Sequence, residues 1–300
     1  MPPRYSKLLH CLNIQATWQF VAERLNQAGI DDASREATIV LQHVTHQPPA
    51  EFFANLQRML LPEEREHVEQ ILSRRLEREP LQYILKSACF YGRDFHVDAR
   101  VLIPRPETEL LVEHVLTRAP DLPYAVAPRM LDVGTGSGAI AITLACELEN
   151  VQVVAIDRSA AALQVARANA AKHMVSDRVS FIQADLISAI GMQVDAIAAN
   201  LPYIPTADIP GLSAEVSSFE PRAALDGGAS GLDLIRVLCL QAPTLLKPDG
   251  WLFLEVGQHQ AAEVAGLLSD VPIWTATDVL RDLRGIDRIV VARIRRHTAQ

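Results

Sequence analysis

The sequence predicts an α/β fold: a seven-stranded, mostly parallel sheet preceded by a small bundle of helices. Three observations predict it. After Pro128, short apolar runs alternate with amphipathic stretches of helical spacing, the pattern of βαβ units. The first of those runs leads into Gly134-Thr135-Gly136-Ser137-Gly138-Ala139, a turn that opens a helix. Before about Leu85 the chain is rich in Glu, Gln, Arg and Leu and almost free of β-branched runs. At 300 residues the chain is about twice a typical domain, and the change of texture divides it into 1–87, a hairpin linker over 88–105, and 106–300.

In chain order, a first helix carries Trp18, Val21, Ala22 and Leu25 on one face and is closed by Gly29. A second follows the capping pair Asp31-Asp32 and turns Ala37, Val40, Leu41 and Val44 inward. A third starts at Pro62-Glu63-Glu64, residues suited to a first turn, and repeats Val68, Ile71, Leu72 and Leu76 at helical spacing. A hairpin over 89–97 and the proline-marked turn Ile103-Pro104-Arg105-Pro106 lead to a helix starting near Glu107. Strands are expected at 130–133, 151–156, 179–182, 196–199 and 251–256, with two more at 271–275 and 288–292. Helices are expected at 139–147, 160–171 and 232–246.

Hydrophobic residues make up 49% of the chain and charged residues 21%, enough to bury a core without staples, which excludes a disulfide miniprotein and wholesale disorder. Cys11, Cys89, Cys146 and Cys239 lie far apart with no metal-ligand spacing, and are expected to be reduced thiols. No apolar run is long enough for a signal peptide or a membrane span, so a soluble cytoplasmic protein without a membrane partner is expected. Net charge is −8, with 11 basic against 12 acidic residues up to Val97 and 17 against 24 beyond it. That balance argues against nucleic acid as the primary partner. The cluster Arg74, Arg75 and Arg78 is the best candidate for a local basic patch, the alternative being a solvated helix face.

Asp157 ends the second strand, 23 residues after Gly134, where a carboxylate can accept from ribose hydroxyls. Asp132, two residues before the glycines, would repel a pyrophosphate and suits a cofactor bearing an ammonium group and a sulfonium. S-adenosyl-L-methionine has that chemistry. Asp185 is placed to accept from an adenine amino group, with Leu186 beside the ring. Directly after the fourth strand stands Asn200-Leu201-Pro202-Tyr203, at the sheet edge where ligands of open α/β folds bind. Methylating a planar nitrogen requires holding both N–H groups, and the Asn200 side-chain oxygen and Leu201 carbonyl can accept them. Pro202 stiffens the loop, and Tyr203 offers a face for a flat group. No metal is needed.

The segments 103–109, 131–141, 200–204 and Glu220-Pro221-Arg222-Ala223-Ala224-Leu225-Asp226-Gly227-Gly228, with Glu79-Pro80-Leu81-Gln82-Tyr83-Ile84 before them, resemble the release-factor glutamine methyltransferases through nearly the whole chain. The resemblance implies a Rossmann-like class I methyltransferase sheet and a monomer. It implies methyl transfer from S-adenosylmethionine to the side-chain amide nitrogen of the glutamine in the Gly-Gly-Gln loop of peptide-chain release factors, in support of translation termination. It further implies that Gly134, Thr135, Gly136, Ser137 and Gly138, with Asp157, Asp185, Leu186 and Asn200, line the cofactor, and that Asn200, Leu201, Pro202 and Tyr203 hold the glutamine. The helical segment would then dock the protein substrate. Position 201 departs from the pattern: the family usually has Pro, whereas Leu occurs in many adenine-amino methyltransferases acting on ribosomal RNA. An adenine-amino enzyme acting on RNA or DNA is therefore the competing reading. A cofactor-binding adaptor would need no clamp for a planar amine, and nothing supplies a hydride-transfer partner for a dinucleotide oxidoreductase.

Overall fold

The structure, a computed structural model, describes residues 13–121 and 127–295; Cys11 lies outside the described residues. The chain forms two compact units, one made of the residues up to Lys86 together with Ala214–Phe219, the other of 87–213 and 220–300.

The first unit is helical: Ile14–Gln27, Ala33–Thr45, Pro49–Ala54, Pro62–Leu76, Leu81–Leu85 and the inserted Ala214–Phe219. Asn13 caps the first helix, its side chain accepting from Ala16 N at 2.8 Å. Asp32 makes no side-chain cap; it sits at φ 54° and its backbone carbonyl accepts from Arg35 N and Glu36 N instead. Glu64 reaches back to Leu61 N at 2.8 Å, so the proline-led helix starts as expected. Val21, Leu25, Val40, Leu41, Val68, Ile71 and Leu72 form its core. Ion pairs take up all three cations of the basic cluster: Arg75 is buried, Arg78 half-buried, and Arg74 stays on an exposed face. Arg75 is 5% exposed and pairs with Glu36 at 2.8 Å and Glu215 at 3.2 Å, Arg78 pairs with Glu215 at 2.9 Å, and Arg74 pairs with Glu79. Three acids inside the unit neutralise the cations that the sequence leaves available.

In the second unit β1 (Ala88–Phe90) and β2 (Arg93–Phe95) form a hairpin whose turn residues Tyr91 and Gly92 both have positive φ, at 51° and 70°. The hairpin is more than a linker: Phe90 and Phe95 are fully buried in one core with Leu111, Val112 and Val115 of the helix Pro106–Arg118. The sheet comprises β3 (Arg129–Val133), β4 (Gln152–Asp157), β5 (Val179–Gln183), β6 (Val194–Ala199), β7 (Leu246–Glu255), β8 (Trp274–Arg281) and β9 (Asp287–Ile294), in the order β5-β4-β3-β6-β7-β9-β8. The strands β3 to β7 pair in parallel, and β9 pairs antiparallel with both β7 and β8. The sequence predicts a strand at 271–275, but residues 271–273 belong to a turn in which Trp274 N donates to Val271 O, and the strand begins at Trp274. Thr275, Thr277 and Asp278 conceal β8 because an edge strand needs no continuous apolar run.

The chain crosses from β5 over to β6, on the other side of β3, so the loops after β3 and β6 diverge at a topological switch point. Ala139 through Ala145 are all buried, because the helix Ala139–Glu147 packs against both the helix Pro106–Arg118 and the sheet. Among the described residues no helix is long and apolar enough to cross a membrane.

Candidate active site

A cavity opens at the carboxyl ends of β3, β4, β5 and β6. Gly134 and Gly136 line it after β3, Asp157 at the end of β4, Asp185 and Leu186 after β5, and Asn200, Leu201 and Pro202 after β6. Strand order thus gathers residues that the sequence spreads over about 70 positions. Asp132, Thr135, Ser137, Gly138 and Tyr203 are off this wall.

Gly134 has φ +79°, and a Cβ built there would stand 3.1 Å from Leu201 Cδ2. Only glycine lets the two loops meet so closely while the backbone faces the cavity. Leu201, 3% exposed, belongs to the core shared with Val133 and Ile156, so the unusual residue of the acceptor loop packs down onto the glycine loop. Beneath them, Asp132 is fully buried. Its Oδ2 accepts from Thr135 Oγ1 at 2.6 Å and Ala141 N at 3.0 Å, while Oδ1 has no partner. Burial pushes the carboxyl up to about 7, against those two hydrogen bonds. Asp132 therefore ties the glycine turn to the helix it enters from behind the wall, instead of standing open to a cationic ligand as the sequence suggests. Thr135 is its donor, Ser137 O accepts from Asn169 Nδ2 at 2.8 Å, and Gly138 opens the helix.

Asp157 accepts from Ser159 N at 2.8 Å and from Gly136 N at 2.9 Å, one bond on each carboxylate oxygen. Each oxygen keeps a lone pair for hydroxyl donors on the cavity side. Two carboxylates, glycine backbone and the apolar Leu186, Ile156 and Ala162 fit a nucleoside without phosphate, which is the chemistry of S-adenosylmethionine. Asp157→Ala is expected to weaken cofactor binding by about 1.5–3 kcal/mol, the scale of hydrogen bonds to a charged group. Calorimetry giving wild-type affinity would remove Asp157 from the ribose site.

The acceptor loop is braced on every side. Asn200 Nδ2 donates to Thr108 Oγ1 at 2.9 Å, which turns the carbonyl end of the amide the other way. The Tyr203 hydroxyl lies 3.5 Å from Glu255 Oε1, and burial pushes the phenol up to about 12, so it stays protonated at neutral pH. Tyr203 O accepts from Gln260 Nε2 at 2.8 Å. The 220–228 segment, to which sequence assigns no role, forms the remaining support. Glu220 is buried and accepts from Arg105 Nη2 and, at 3.4 Å, from Ile103 N, locking the proline-marked turn; Pro221, Ala223 and Ala224 then line the cavity. Ile204 N donates to Leu225 O and Gly227 N to Ile204 O. A Cβ on Gly227 would fall 2.6 Å from Pro202 O, so a side chain there would displace the loop.

Sequence reasoning misses Thr108, Glu255 and Gln260. Thr108 was within reach, since it lies in the 103–109 segment, where it reads as helix start alone. Glu255 and Gln260 give no local signal.

Residues 16–85 match the family model of the PrmC N-terminal domain, and residues 126–270 match a methyltransferase domain. The chain is 41% identical over 271 residues to a release factor glutamine methyltransferase of Geobacter sulfurreducens, covering 90% of this chain and 93% of the relative. It is 40% identical over 284 residues to one of Koribacter versatilis, covering 94% and 99%. Among solved structures, a methyltransferase of Pyrococcus furiosus superposes with a TM-score of 0.51 at 15% identity, over 74% of this chain and 96% of that one. A Thermus thermophilus 16S rRNA N2 G1207 methyltransferase in complex with AdoMet and guanosine does so with a TM-score of 0.50 at 18% identity, over 70% of this chain and 50% of that one. At these identities the two structures share the fold with this chain.

Proposed function

The chain belongs to the family of release factor glutamine methyltransferases, and from that premise we infer that it methylates the side-chain amide nitrogen of a release-factor glutamine, with S-adenosylmethionine as donor. The observation that carries the reading is the Asn200-Leu201-Pro202-Tyr203 loop on the cavity wall, with the Asn200 amide oriented by Thr108. Bound to Gly134, Gly136, Asp157, Asp185 and Leu186, the cofactor supplies an electrophilic methyl group on a sulfonium. The chain's own contribution is positioning. Asn200 Oδ1 and the Leu201 carbonyl accept the two N–H groups of the glutamine amide, and the apolar Pro202 and Leu201 restrict its rotation. An amide nitrogen is a weak nucleophile, so aligning it is the main task.

The substrate glutamine is the one in the Gly-Gly-Gln loop. Glycines beside it let the substrate backbone approach a narrow rim where residues with side chains would collide. An adenine would have to leave its stack, and gripping the flanking phosphates would need positive charge that the acidic catalytic half lacks. Mass spectrometry of a release factor after reaction is expected to find one added methyl on the loop glutamine. Methyladenine in ribosomal RNA or DNA, with none on the factor, would replace this reading with the competing one.

The helical unit docks the intact factor. It exposes Phe53, Met59 and Leu61 at 60%, 49% and 49%, and Phe53 borders an apolar groove with Trp18, Phe52 and Leu56. Phe53→Asp is expected to raise KM for the intact factor about tenfold relative to KM for a loop peptide, the loss typical of an interface aromatic. An unchanged ratio would assign the groove to folding alone.

A further inference from the structure

Gln260 stands at the N-cap of the helix Ala261–Ser269, yet its side chain makes no cap bond to that helix. Glutamine is not among the residues favoured at that place either. The side chain runs elsewhere. Its Oε1 accepts from Gly257 N at 2.8 Å, and its Nε2 donates to Tyr203 O at 2.8 Å, across 57 positions of sequence. A backbone N–H can only donate and a carbonyl oxygen can only accept, so these two partners fix which way the amide points. Two glycines leave it room. A Cβ on Gly257 would stand 2.8 Å from Gln260 Oε1, and one on Gly231 would stand 2.7 Å from Gln260 Nε2 and closer still to Tyr203 O.

What the amide holds is the far end of the acceptor loop. Among the described residues, the main chain of Leu201 and Pro202 makes no hydrogen bond to other backbone groups. That leaves the Leu201 carbonyl free for a substrate N–H, and it leaves the direction of that carbonyl to the residues on either side. On one side is Asn200, oriented by Thr108 at 2.9 Å. On the other, Pro202 contributes a fixed φ, and the Tyr203–Ile204 peptide is gripped at both polar ends. Gln260 Nε2 holds its oxygen, and its N–H, on Ile204, donates to Leu225 O at 3.0 Å. Without the glutamine bond this peptide plane is free to tilt about the Ile204 N–H, and the tilt passes through Pro202 to the Leu201 carbonyl. A weak nucleophile reacts only when aligned, so a small error of direction slows the reaction.

We propose that Gln260 is a positioning residue that, by holding the Tyr203 carbonyl, sets the direction in which the Leu201 carbonyl meets the substrate amide. The proposal rests on the functional reading above. It adds a residue that is off the cavity wall.

Two substitutions test it, read as single-turnover methyl transfer at saturating factor and cofactor, with KM for the factor and cofactor Kd measured alongside. Gln260→Met keeps the length of the side chain and removes both polar ends. It is expected to slow transfer about tenfold or more, with KM for the factor and cofactor Kd within about twofold of native. A glutamine that serves only the turn before the helix would leave this rate at the native value, whatever its effect on unfolding, and that result overturns the proposal. Gln260→Glu separates the two bonds and keeps the test open should Gln260→Met not fold. One carboxyl oxygen still accepts from Gly257 N, while the other faces the Tyr203 oxygen and bonds to it only when protonated. The rate relative to the native enzyme is therefore expected to fall as pH rises from about 5.5 to about 9, by about tenfold in all. Taking the ratio removes titrations common to the two proteins, that of Glu255 beside the Tyr203 hydroxyl among them. A ratio that does not change with pH overturns the proposal, because a residue that serves the turn alone keeps its acceptor throughout. If the native enzyme leaves the factor unmethylated, the functional reading falls and takes the positioning role with it; active native enzyme matched by Gln260→Met removes the positioning role alone.

Discussion

Asn200→Ala is expected to slow methyl transfer by about a hundredfold or more, the usual consequence of deleting a preorganised polar contact to the reacting group. The side chain stands at the end of β6, the position in the sheet where strand β3 on one side and β7 on the other fix the backbone. Its amide nitrogen is already committed to Thr108 at 2.9 Å, so the carbonyl arrives oriented and loses no rotational freedom when the substrate binds. Alanine removes the acceptor and leaves the cavity wall otherwise intact, since Leu201 and Pro202 are held by contacts of their own. The loss should accordingly fall on the rate at saturating substrate, with a smaller change in cofactor affinity. Single-turnover rates equal to those of the native chain would take Asn200 out of the acceptor clamp.

The second large effect concerns stability. Burial pushes the Asp132 carboxyl up to about 7, whereas an unfolded aspartate titrates near 3.9. The folded chain therefore binds this proton more tightly than the unfolded one. The resulting stabilisation is full below about pH 4, declines as pH rises from there to about 7, and is gone above it, worth about 4 kcal/mol across the window. Glu255, pushed up to about 7 mainly by its own burial, acts in the same direction over nearly the same range. Asp132→Asn keeps an oxygen for Thr135 Oγ1 and Ala141 N and removes the ionisation. Relative to the native chain it is expected to gain about 4 kcal/mol of stability between pH 4 and pH 8, with the Glu255 share of the slope left in place. Urea unfolding of the cofactor-free protein at several pH values checks this. Parallel curves for the two proteins would mean that Asp132 titrates normally.

The strands, the glycine turn and the acceptor loop are legible in the sequence because each is signalled by residues adjacent in the chain. Apolar runs predict β3, β4, β5 and β6 to within about two residues, and strand order then brings Asp157, Asp185 and Asn200 to one cavity. Asp132 shows where local reading misleads. Its position before the glycines suggests a charge facing a ligand, but a carboxylate on a central strand points into whichever layer the pleat dictates, and here that is the interior. Glu220 with Ile103 and Arg105, and Asn200 with Thr108, are pairs separated by 117, 115 and 92 positions. Nothing in one sequence marks such pairs. The helices Pro49–Ala54, Leu81–Leu85 and Ala214–Phe219 are too short to establish a helical period, so tertiary packing decides them.

The helix Ala214–Phe219 has a consequence for anyone wishing to exchange parts between relatives. Because it folds with the helical unit while its sequence lies inside the other, the polypeptide passes between the units at three places: after Lys86, after Ser213 and after Phe219. A chimera joined only at residue 86 would give Arg75 and Arg78 a foreign residue in place of Glu215, leaving the buried Arg75 with one carboxylate, Glu36, and the Glu79 carbonyl. The helical unit is thus not a cassette that one junction can transplant. A working hybrid has to carry 214–219 from the same parent as the bundle, and those residues begin just eleven positions after Tyr203. In this architecture, recombination at the bundle necessarily edits the chain that follows the acceptor loop.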